Sequence, residues 1–215
     1  MRVRAFACLL FATTALAATR IAHAADTAIE YYHAALDHYF VTSLAAEIAA
    51  LDNGTLTGWT RTGRAFAVFN TQSAAGLSPV CRFYVPPQHG DSHFFSASPA
   101  ECADIRAKIL TDPNYSGYIE ESPSVFYAVL PNTATGACPA GNVPVYRLWN
   151  QRADSNHRYT TDPGIKAAMQ AKGYLAEGYG PDAVSLCTPQ ASHVAALSRA
   201  SGLTPFTAGC DGVPA

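Results

Sequence analysis

The chain has little charge and lacks the motifs that identify common enzymes and nucleic-acid-binding proteins. Only 14% of its 215 residues are charged, with 14 Lys and Arg against 16 Asp and Glu. Because it has no basic cluster, the sequence is poorly suited to bind nucleic acid or an anionic membrane surface. It contains no GxSxG nucleophile elbow and no CxxC pair, which argues against a serine hydrolase, a zinc ribbon and a thioredoxin-type redox site.

The N-terminus has the layout of a secretory signal peptide. Arg2 and Arg4 precede an apolar stretch that ends at the small-x-small tripeptide AHA. This stretch is too short to span a bilayer comfortably, so we expect cleavage after Ala24 rather than a membrane anchor. The sequence thus predicts a signal peptide over residues 1–24 and a secreted or periplasmic protein. Cleavage also removes Arg20, which leaves 11 basic against 16 acidic residues and a net charge of −5 with neutral histidines.

One pattern of strand, turn, His-led strand, helix and Gly-aromatic pair occurs three times, over about residues 28–69, 80–129 and 144–187. A unit of this size is too small to bury its own apolar face, so the three copies must share one core. We therefore expect an α+β, β-dominated domain over residues 25–187, built from three ββαββ-type repeats. Pseudo-threefold closure, trefoil-like or small propeller-like, is favoured over an open array, because polar capping repeats are missing. Residues 188–215 are interpreted as a C-terminal tail.

Three sets of motifs carry a family resemblance. They are EYYHAALDHYFVTS at 30–43, SHFF at 92–95 with EC at 101–102, and PVYRLWN at 144–150 with NHRYTTD and GYLAEGYG after it. In this order they resemble the family known as domain of unknown function (DUF) family 5648, found in exported bacterial and fungal proteins. The resemblance covers about residues 29–187. It implies a repeat module of exported or cell-surface proteins with no established activity, so no functional residue is carried over.

Five cysteines remain after the signal peptide, which agrees with export to an oxidising compartment. We predict disulfides between Cys81 and Cys102 and between Cys138 and Cys187, because each bridge closes a loop within or around one repeat. Cys210 is left over. It is either free, or paired between molecules, or a sign that this pairing is wrong.

Helix starts and inward-facing residues follow from the same alignment. The helices are expected to begin after Ser43, Ser98 and Asp162, which are all good N-cap residues. Side chains alternate along a strand, so the histidines share a face with the aromatic residues two positions on. The histidines are His38, His93 and His157, and their aromatic neighbours are Phe40, Phe95 and Tyr159. The residue between them varies, which predicts an exposed position at Tyr39, Phe94 and Arg158.

Two interpretations of the histidines are open. His38, His93 and His157 could approach a common axis, where three imidazoles and a water form the zinc site of a metal-dependent hydrolase. Alternatively, each imidazole forms a hydrogen bond inside its own repeat and fixes the hairpin. The second interpretation explains the recurrence without a metal, so we expect no metal site and no cofactor.

The opening strand of each repeat carries one charged residue and, two positions on, an aromatic residue on the same face. The pairs are Glu30 with Tyr32, Arg82 with Tyr84, and Arg147 with Trp149. An aromatic ring beside a planar charged group is suited to contact a sugar or a carboxylate. The alternative is a buried salt link between repeats in which Glu30 offsets an arginine, because a buried charge needs a partner.

These features favour a secreted, non-catalytic binding module, with carbohydrate or a cell-envelope polymer as the candidate ligand. Glu120, Glu121 and Glu177 stand near turns, and we interpret them as solvated residues rather than as the paired carboxylates of a glycosidase. A metal-dependent hydrolase is the first alternative, and a structural or protein-interaction module without a small ligand is the second. We expect no nucleic-acid partner and no membrane span after signal cleavage. The pattern predicts no particular oligomeric state.

Overall fold

The structure is a computed structural model that describes residues 25–72 and 76–190. The predicted signal peptide and Cys210 lie outside these residues. None of the helices within them has the length and apolar composition that a membrane span requires. The described residues form ten strands and three α-helices, in this order: β1 Ala25–His33, β2 His38–Thr42, α1 Ala45–Asp52, β3 Trp59–Phe69, β4 Leu77–Val85, β5 Ser92–Ser96, α2 Pro99–Thr111, β6 Ile119–Val129, β7 Asn142–Trp149, β8 His157–Thr160, α3 Pro163–Ala171, β9 Leu175–Glu177 and β10 Val184–Pro189.

The strands form one open antiparallel sheet, so the prediction of a β-dominated domain is confirmed. The strand order is β2-β1-β3-β6-β10-β7-β8, with β4 and β5 attached to β6, and β9 attached to β7. The predicted closed, trefoil-like or propeller-like arrangement is not supported, because the sheet does not close. Its central links are short: β3 pairs with β6 only at Phe69 and Tyr127, and β10 pairs with β6 only at Cys187 and Val129.

The predicted ββαββ order occurs only around α3, where the short strands β9 and β10 follow the helix. After α1 and α2 the chain forms one continuous strand of 11 residues instead, β3 and β6. A regular threefold ββαββ repeat is therefore not supported by the fold. Several strands also pass the predicted boundaries: β4 begins at Leu77, β7 at Asn142, and β10 ends at Pro189.

Three hairpins bring the charged opening strands against the His-led strands. They are β1–β2, β4–β5 and β7–β8, all antiparallel. Asp37 and Asp91 end the first two turns with φ of 53° and 48°. Asp adopts this left-handed conformation more readily than most non-glycine residues, so the turn chemistry fits the sequence.

The main core lies where the His-led strands meet. Phe40, Phe95 and Tyr159 belong to one buried cluster, as predicted from their shared strand face, and are 7%, 2% and 4% exposed. Burying a side chain of this size contributes about 1.5–3 kcal/mol. The hydroxyl of Tyr159 accepts from the backbone N–H of Phe95 at 2.8 Å and donates to its carbonyl at 3.0 Å. This polar group is therefore satisfied inside the core.

Two of the three predicted helix caps are confirmed. Ser98 accepts a hydrogen bond from Glu101 N, and Asp162 accepts from Gly164 N and Ile165 N. Ser43 does not cap α1, whose N-cap position is taken by Leu44 without a side-chain hydrogen bond. The reason is one extra residue between Ser43 and the first glutamate of the helix, which moves the helix start by one position.

Both predicted disulfides are confirmed. Cys81 is bonded to Cys102, with Cα atoms 6.3 Å apart, which ties β4 to α2. Cys138 is bonded to Cys187 at a Cα separation of 5.6 Å, which ties the loop before β7 to β10. The two bridges therefore fix one helix and one long connection to the sheet.

Removal of either disulfide should destabilise the protein. The bridges join residues 21 and 49 positions apart, and chain-entropy estimates give about 3–4 kcal/mol for loops of this length. Urea unfolding of the Cys81→Ala/Cys102→Ala and Cys138→Ala/Cys187→Ala variants measures this loss, and the second variant should lose slightly more. A non-reduced peptide map that links Cys81 to any cysteine except Cys102 would contradict this disulfide arrangement.

Candidate functional site

The charged residues of the opening strands lie inside the protein. Glu30 is 2% exposed, and Arg82 and Arg147 are 6% exposed. A buried charge is costly unless it is paired and hydrogen-bonded. Each of these three side chains accordingly contacts groups of opposite charge or matching polarity from other elements.

Arg147 on β7 is held by two carboxylates. Its terminal nitrogens donate to Glu101 of α2 at 2.9 and 2.8 Å in a bidentate pair, and its Nε donates to Glu177 of β9 at 2.8 Å. The guanidinium carbon also lies 4.6 Å from the ring centre of Phe94. The geometry is the bidentate one that makes arginine–carboxylate pairs strong.

Arg82 on β4 repeats this arrangement. It forms a bidentate pair with Glu47 of α1 at 2.9 and 2.7 Å, and its Nε lies 2.8 Å from Glu121 of β6. The N–H at Nε forms no hydrogen bond, so the contact with Glu121 is an ionic one, whereas Glu47 accepts true hydrogen bonds. Glu121 and Glu177, interpreted from the sequence as solvated turn residues, are thus ion-pair partners of buried arginines.

At Glu30 the charges are reversed, and the buried carboxylate pairs with an arginine from another strand. Arg158 of β8 donates to both carboxylate oxygens of Glu30 at 2.8 Å, and the hydroxyl of Thr62 donates at 2.7 Å. Arg158 also stacks at 4.0 Å on the ring of Tyr39. Tyr39, Phe94 and Arg158 occupy the position after the histidine, which the sequence predicted to be exposed. That prediction was wrong, since Phe94 is only 9% exposed. These side chains are packed between neighbouring hairpins.

The three histidines do not converge on one point. Nε2 of His38 lies 3.5 Å from Asp154, that of His93 lies 3.2 Å from Glu121, and that of His157 lies 3.3 Å from Glu177. Across residues 25–72 and 76–190, no group of three or more His, Cys, Asp or Glu side chains could hold a metal ion. The geometry therefore gives no support to the three-histidine zinc site.

Two clefts open beside the buried arginines. The first, of about 520 Å³, lies between α2 and the β7–β8 hairpin, and we call it the Trp149 cleft. Its aromatic and charged lining includes Phe94, Tyr115, Tyr118, Trp149, Glu101, Arg147 and Glu177. The second, of about 540 Å³, lies between α1 and the β4–β5 hairpin, and we call it the Trp59 cleft. Its lining includes Phe40, Trp59, Tyr84, Glu47, His93 and Glu121.

The candidate ligand residues divide between these clefts and the interior. Trp149 and Arg147 line the Trp149 cleft, and Tyr84 lines the Trp59 cleft. Arg82, Glu30 and Tyr32 line neither of them. The structure therefore brings Tyr84 and Trp149, the aromatic members of the second and third pairs, to open clefts. Of the charged members, Arg147 reaches a cleft and Arg82 does not.

Hydrogen bonds fix the aromatic rings of the opening strands. The indole N–H of Trp149 donates to the hydroxyl of Ser155 at 3.0 Å, and the hydroxyl of Tyr84 donates to Asp91 at 2.6 Å. The hydroxyl of Tyr32 donates to Asp37 in the same manner. Each acceptor lies in the turn that follows the strand, so the ring positions are set before any ligand binds.

Trp59 and Tyr118 were not identified as site residues from the sequence. Both follow a glycine in the Gly-aromatic pairs, and this recurrence was the available signal. Gly58 has φ of +86°, and a Cβ there would lie 2.1 Å from the imidazole of His33. Glycine is therefore required for the tight approach that turns the tryptophan ring into the cleft.

The carboxylates of the Trp149 cleft are held ionised. Burial opposes the ionisation of Glu101 and Glu177, but the hydrogen bonds and charge of Arg147, with the hydrogen bond from His157 to Glu177, outweigh it. The pKa of each carboxyl therefore lies below its ordinary value. The same balance lowers the pKa of Glu47 and Glu121 beside Arg82. A glycosidase needs one carboxylic acid whose pKa is raised, and these four residues do not provide it.

Residues 17–120 match a family model described as a domain of unknown function (DUF5648), which confirms the resemblance for the first two sets of motifs, whereas the third set lies beyond the match. This segment includes α1, α2 and the Trp59 cleft hairpin, and it ends before β7. The comparisons with curated proteins and with solved structures gave no significant match.

Replacing the buried arginine should destabilise the fold strongly. The Arg147→Met variant keeps a long side chain but leaves Glu101 and Glu177 without a cation, and breaking a buried pair costs about 3–5 kcal/mol. Arg64→Met is the matched control, because Arg64 and its partner Asp162 are 58% and 40% exposed. Urea unfolding should show a large loss for the first variant and little change for the second. Equal stability of the two variants would contradict a structural role for Arg147.

His157 should make the protein less stable in mild acid. Burial, together with the nearby charge of Arg147, holds the pKa of His157 below its ordinary value despite the opposing contacts with Glu177 and Glu101. Since the unfolded chain then binds the proton first, the free energy of unfolding falls as the pH drops below about 6.5. The lowered carboxyl pKa values act only below about pH 4.3.

Urea unfolding at pH 7 and pH 5 measures this effect. Wild type should lose stability between the two pH values, and the His157→Gln variant should lose less. An equal loss in both proteins would show that His157 is not the titrating group.

Proposed function

We propose that this chain, whose residues 17–120 match the DUF5648 family model, is a secreted, non-catalytic module that binds carbohydrate, with a cell-envelope polymer as the candidate ligand. The observation that carries the proposal is the Trp149 cleft, which combines fixed, half-exposed aromatic rings with ionised carboxylates. Aromatic faces pack against the apolar faces of sugar rings, and carboxylates accept hydrogen bonds from sugar hydroxyls.

The size and composition of the Trp149 cleft fit a small ligand or one segment of a polymer. Its volume of about 520 Å³ lies within the range of about 300–1,000 Å³ typical of ligand sites. Trp149, Tyr115 and Tyr118 are all half-buried, so their rings are partly accessible. Lys108 and Asn114 add donors at the rim. The cleft thus offers stacking surfaces with acceptors and donors around them.

The secreted location is proposed on two grounds. The sequence predicts a signal peptide over residues 1–24, and two disulfides agree with an oxidising compartment. The candidate polymers are found outside the cell membrane. The charge balance of the chain also makes nucleic acid an unsuitable ligand.

We further infer that the three segments are related units with pseudo-threefold symmetry. Three observations support this inference: a buried ion pair at each of the three opening strands, mutual contacts among β2, β5 and β8, and contact between β3 and β10. The last contact includes a hydrogen bond from the hydroxyl of Thr188 to the carbonyl of Ala67. Side-chain contacts, rather than sheet pairing, would then hold the units around the axis.

The binding proposal is tested by a pull-down on insoluble peptidoglycan, chitin and cellulose. Wild type should bind at least one of them, and Trp149→Ala should lose most of this binding because the stacking surface is removed. Tyr32→Ala is the matched control, since Tyr32 occupies the same strand position but lines neither cleft. Absence of wild-type binding to all three polymers would overturn the proposal and favour a structural or protein-interaction module.

A further inference from the structure

We propose that the Trp59 cleft is a second binding site of the same kind as the Trp149 cleft, so that one chain holds a polysaccharide at two points. This inference rests on the proposed carbohydrate-binding function. It adds a site that the sequence did not reveal, together with a specific mode of binding.

The two clefts are built from corresponding residues. In each, one wall is the aromatic residue that follows a glycine after a helix, Trp59 or Tyr118. The opposite wall is the aromatic residue near the end of an opening strand, Tyr84 or Trp149. Each cleft also holds one histidine paired with one glutamate, at 3.2 Å in the Trp59 cleft and 3.3 Å in the Trp149 cleft.

The carboxylates correspond as well. Glu47 in the first turn of α1 and Glu101 in the first turn of α2 both line a cleft and both form a bidentate pair with a buried arginine. Their lowered pKa values keep them ionised as hydrogen-bond acceptors. A ligand that fits one cleft therefore meets the same arrangement of ring, acceptor and imidazole in the other.

The clefts lie on either side of the β4–β5 hairpin, close to its turn. Tyr84 and His93 face the Trp59 cleft, whereas Val85 and Phe94 face the Trp149 cleft. Neighbouring residues of a strand point to opposite faces, which explains this division. The two sites are therefore separated by the thickness of this one hairpin. A linear polymer that crosses the hairpin turn can reach both.

The third related position is built differently. Tyr174, which corresponds to Trp59 and Tyr118, is 9% exposed and packs against Leu148 and Met169. Arg158 of β8 binds Glu30. The residue at the corresponding position of the other two His-led strands is aromatic. The ring at this position serves the core, and we therefore assign binding to the other two clefts alone.

Titration calorimetry and affinity electrophoresis with chitin-derived, cellulose-derived and soluble peptidoglycan oligosaccharides test the second site. The proteins are wild type, Trp59→Ala, Trp149→Ala and the double variant, with Tyr84→Ala as a second lesion of the Trp59 cleft in case Trp59→Ala fails to fold. Wild type should bind two disaccharides per chain and each single variant one. For long polymers each single variant should weaken binding tenfold or more, because linked sites raise the effective ligand concentration. The double variant should not bind.

Each result has a distinct meaning. A wild-type stoichiometry of one, with binding unchanged in Trp59→Ala and Tyr84→Ala, overturns the second site but leaves the proposed function intact. Failure of wild type to bind any of the oligosaccharides or polymers overturns both. Two sites per chain with no gain for long polymers overturns the two-point binding of one polymer.

Discussion

The fold depends on the pairing of buried charges between neighbouring segments. Arg82 and Arg147 each lie on an opening strand with little exposure to water, and each draws one glutamate from the preceding helix and another from a later strand of its own segment. A guanidinium has five donors and no acceptor, so an apolar interior could not hold it. Two carboxylates pair with it through hydrogen bonds and ionic contacts, and in doing so they fix the relative positions of a helix and two strands.

The same pairs shape the candidate binding surfaces. Glu101 and Glu177 neutralise Arg147 on one side and line the Trp149 cleft on the other, and Glu47 and Glu121 do so for Arg82 in the Trp59 cleft. The arginines, together with His93 beside Glu121 and His157 beside Glu177, keep these carboxylates ionised, so the clefts present hydrogen-bond acceptors. The proposal of a carbohydrate-binding module rests on these ionised acceptors combined with aromatic rings.

Local features could be predicted from the sequence, whereas long-range partners could not. The disulfides, the buried faces of Phe40, Phe95 and Tyr159, and the caps at Ser98 and Asp162 follow from spacing and strand alternation. The partner of Glu30 is Arg158, 128 residues away, at a position interpreted as exposed because its residue type varies. The other two His-led strands carry an aromatic residue at this position, and the arginine stands where its partner is a buried glutamate. The prediction of a closed arrangement was not supported. The repeated sequence pattern does not show how many residues pair between strands of different repeats, and in the structure β3 and β10 each pair with β6 at a single position.

The central claim is that this pairing of charges, rather than a particular sign at each position, holds the segments together. A double-mutant cycle at Glu30 and Arg158 tests it, with Glu30→Arg, Arg158→Glu and the exchanged pair compared by urea unfolding. The account predicts that each single variant is strongly destabilised and that the exchanged pair recovers part of the loss, with a coupling of about 0.5–3 kcal/mol. Strictly additive losses in the double variant would contradict it.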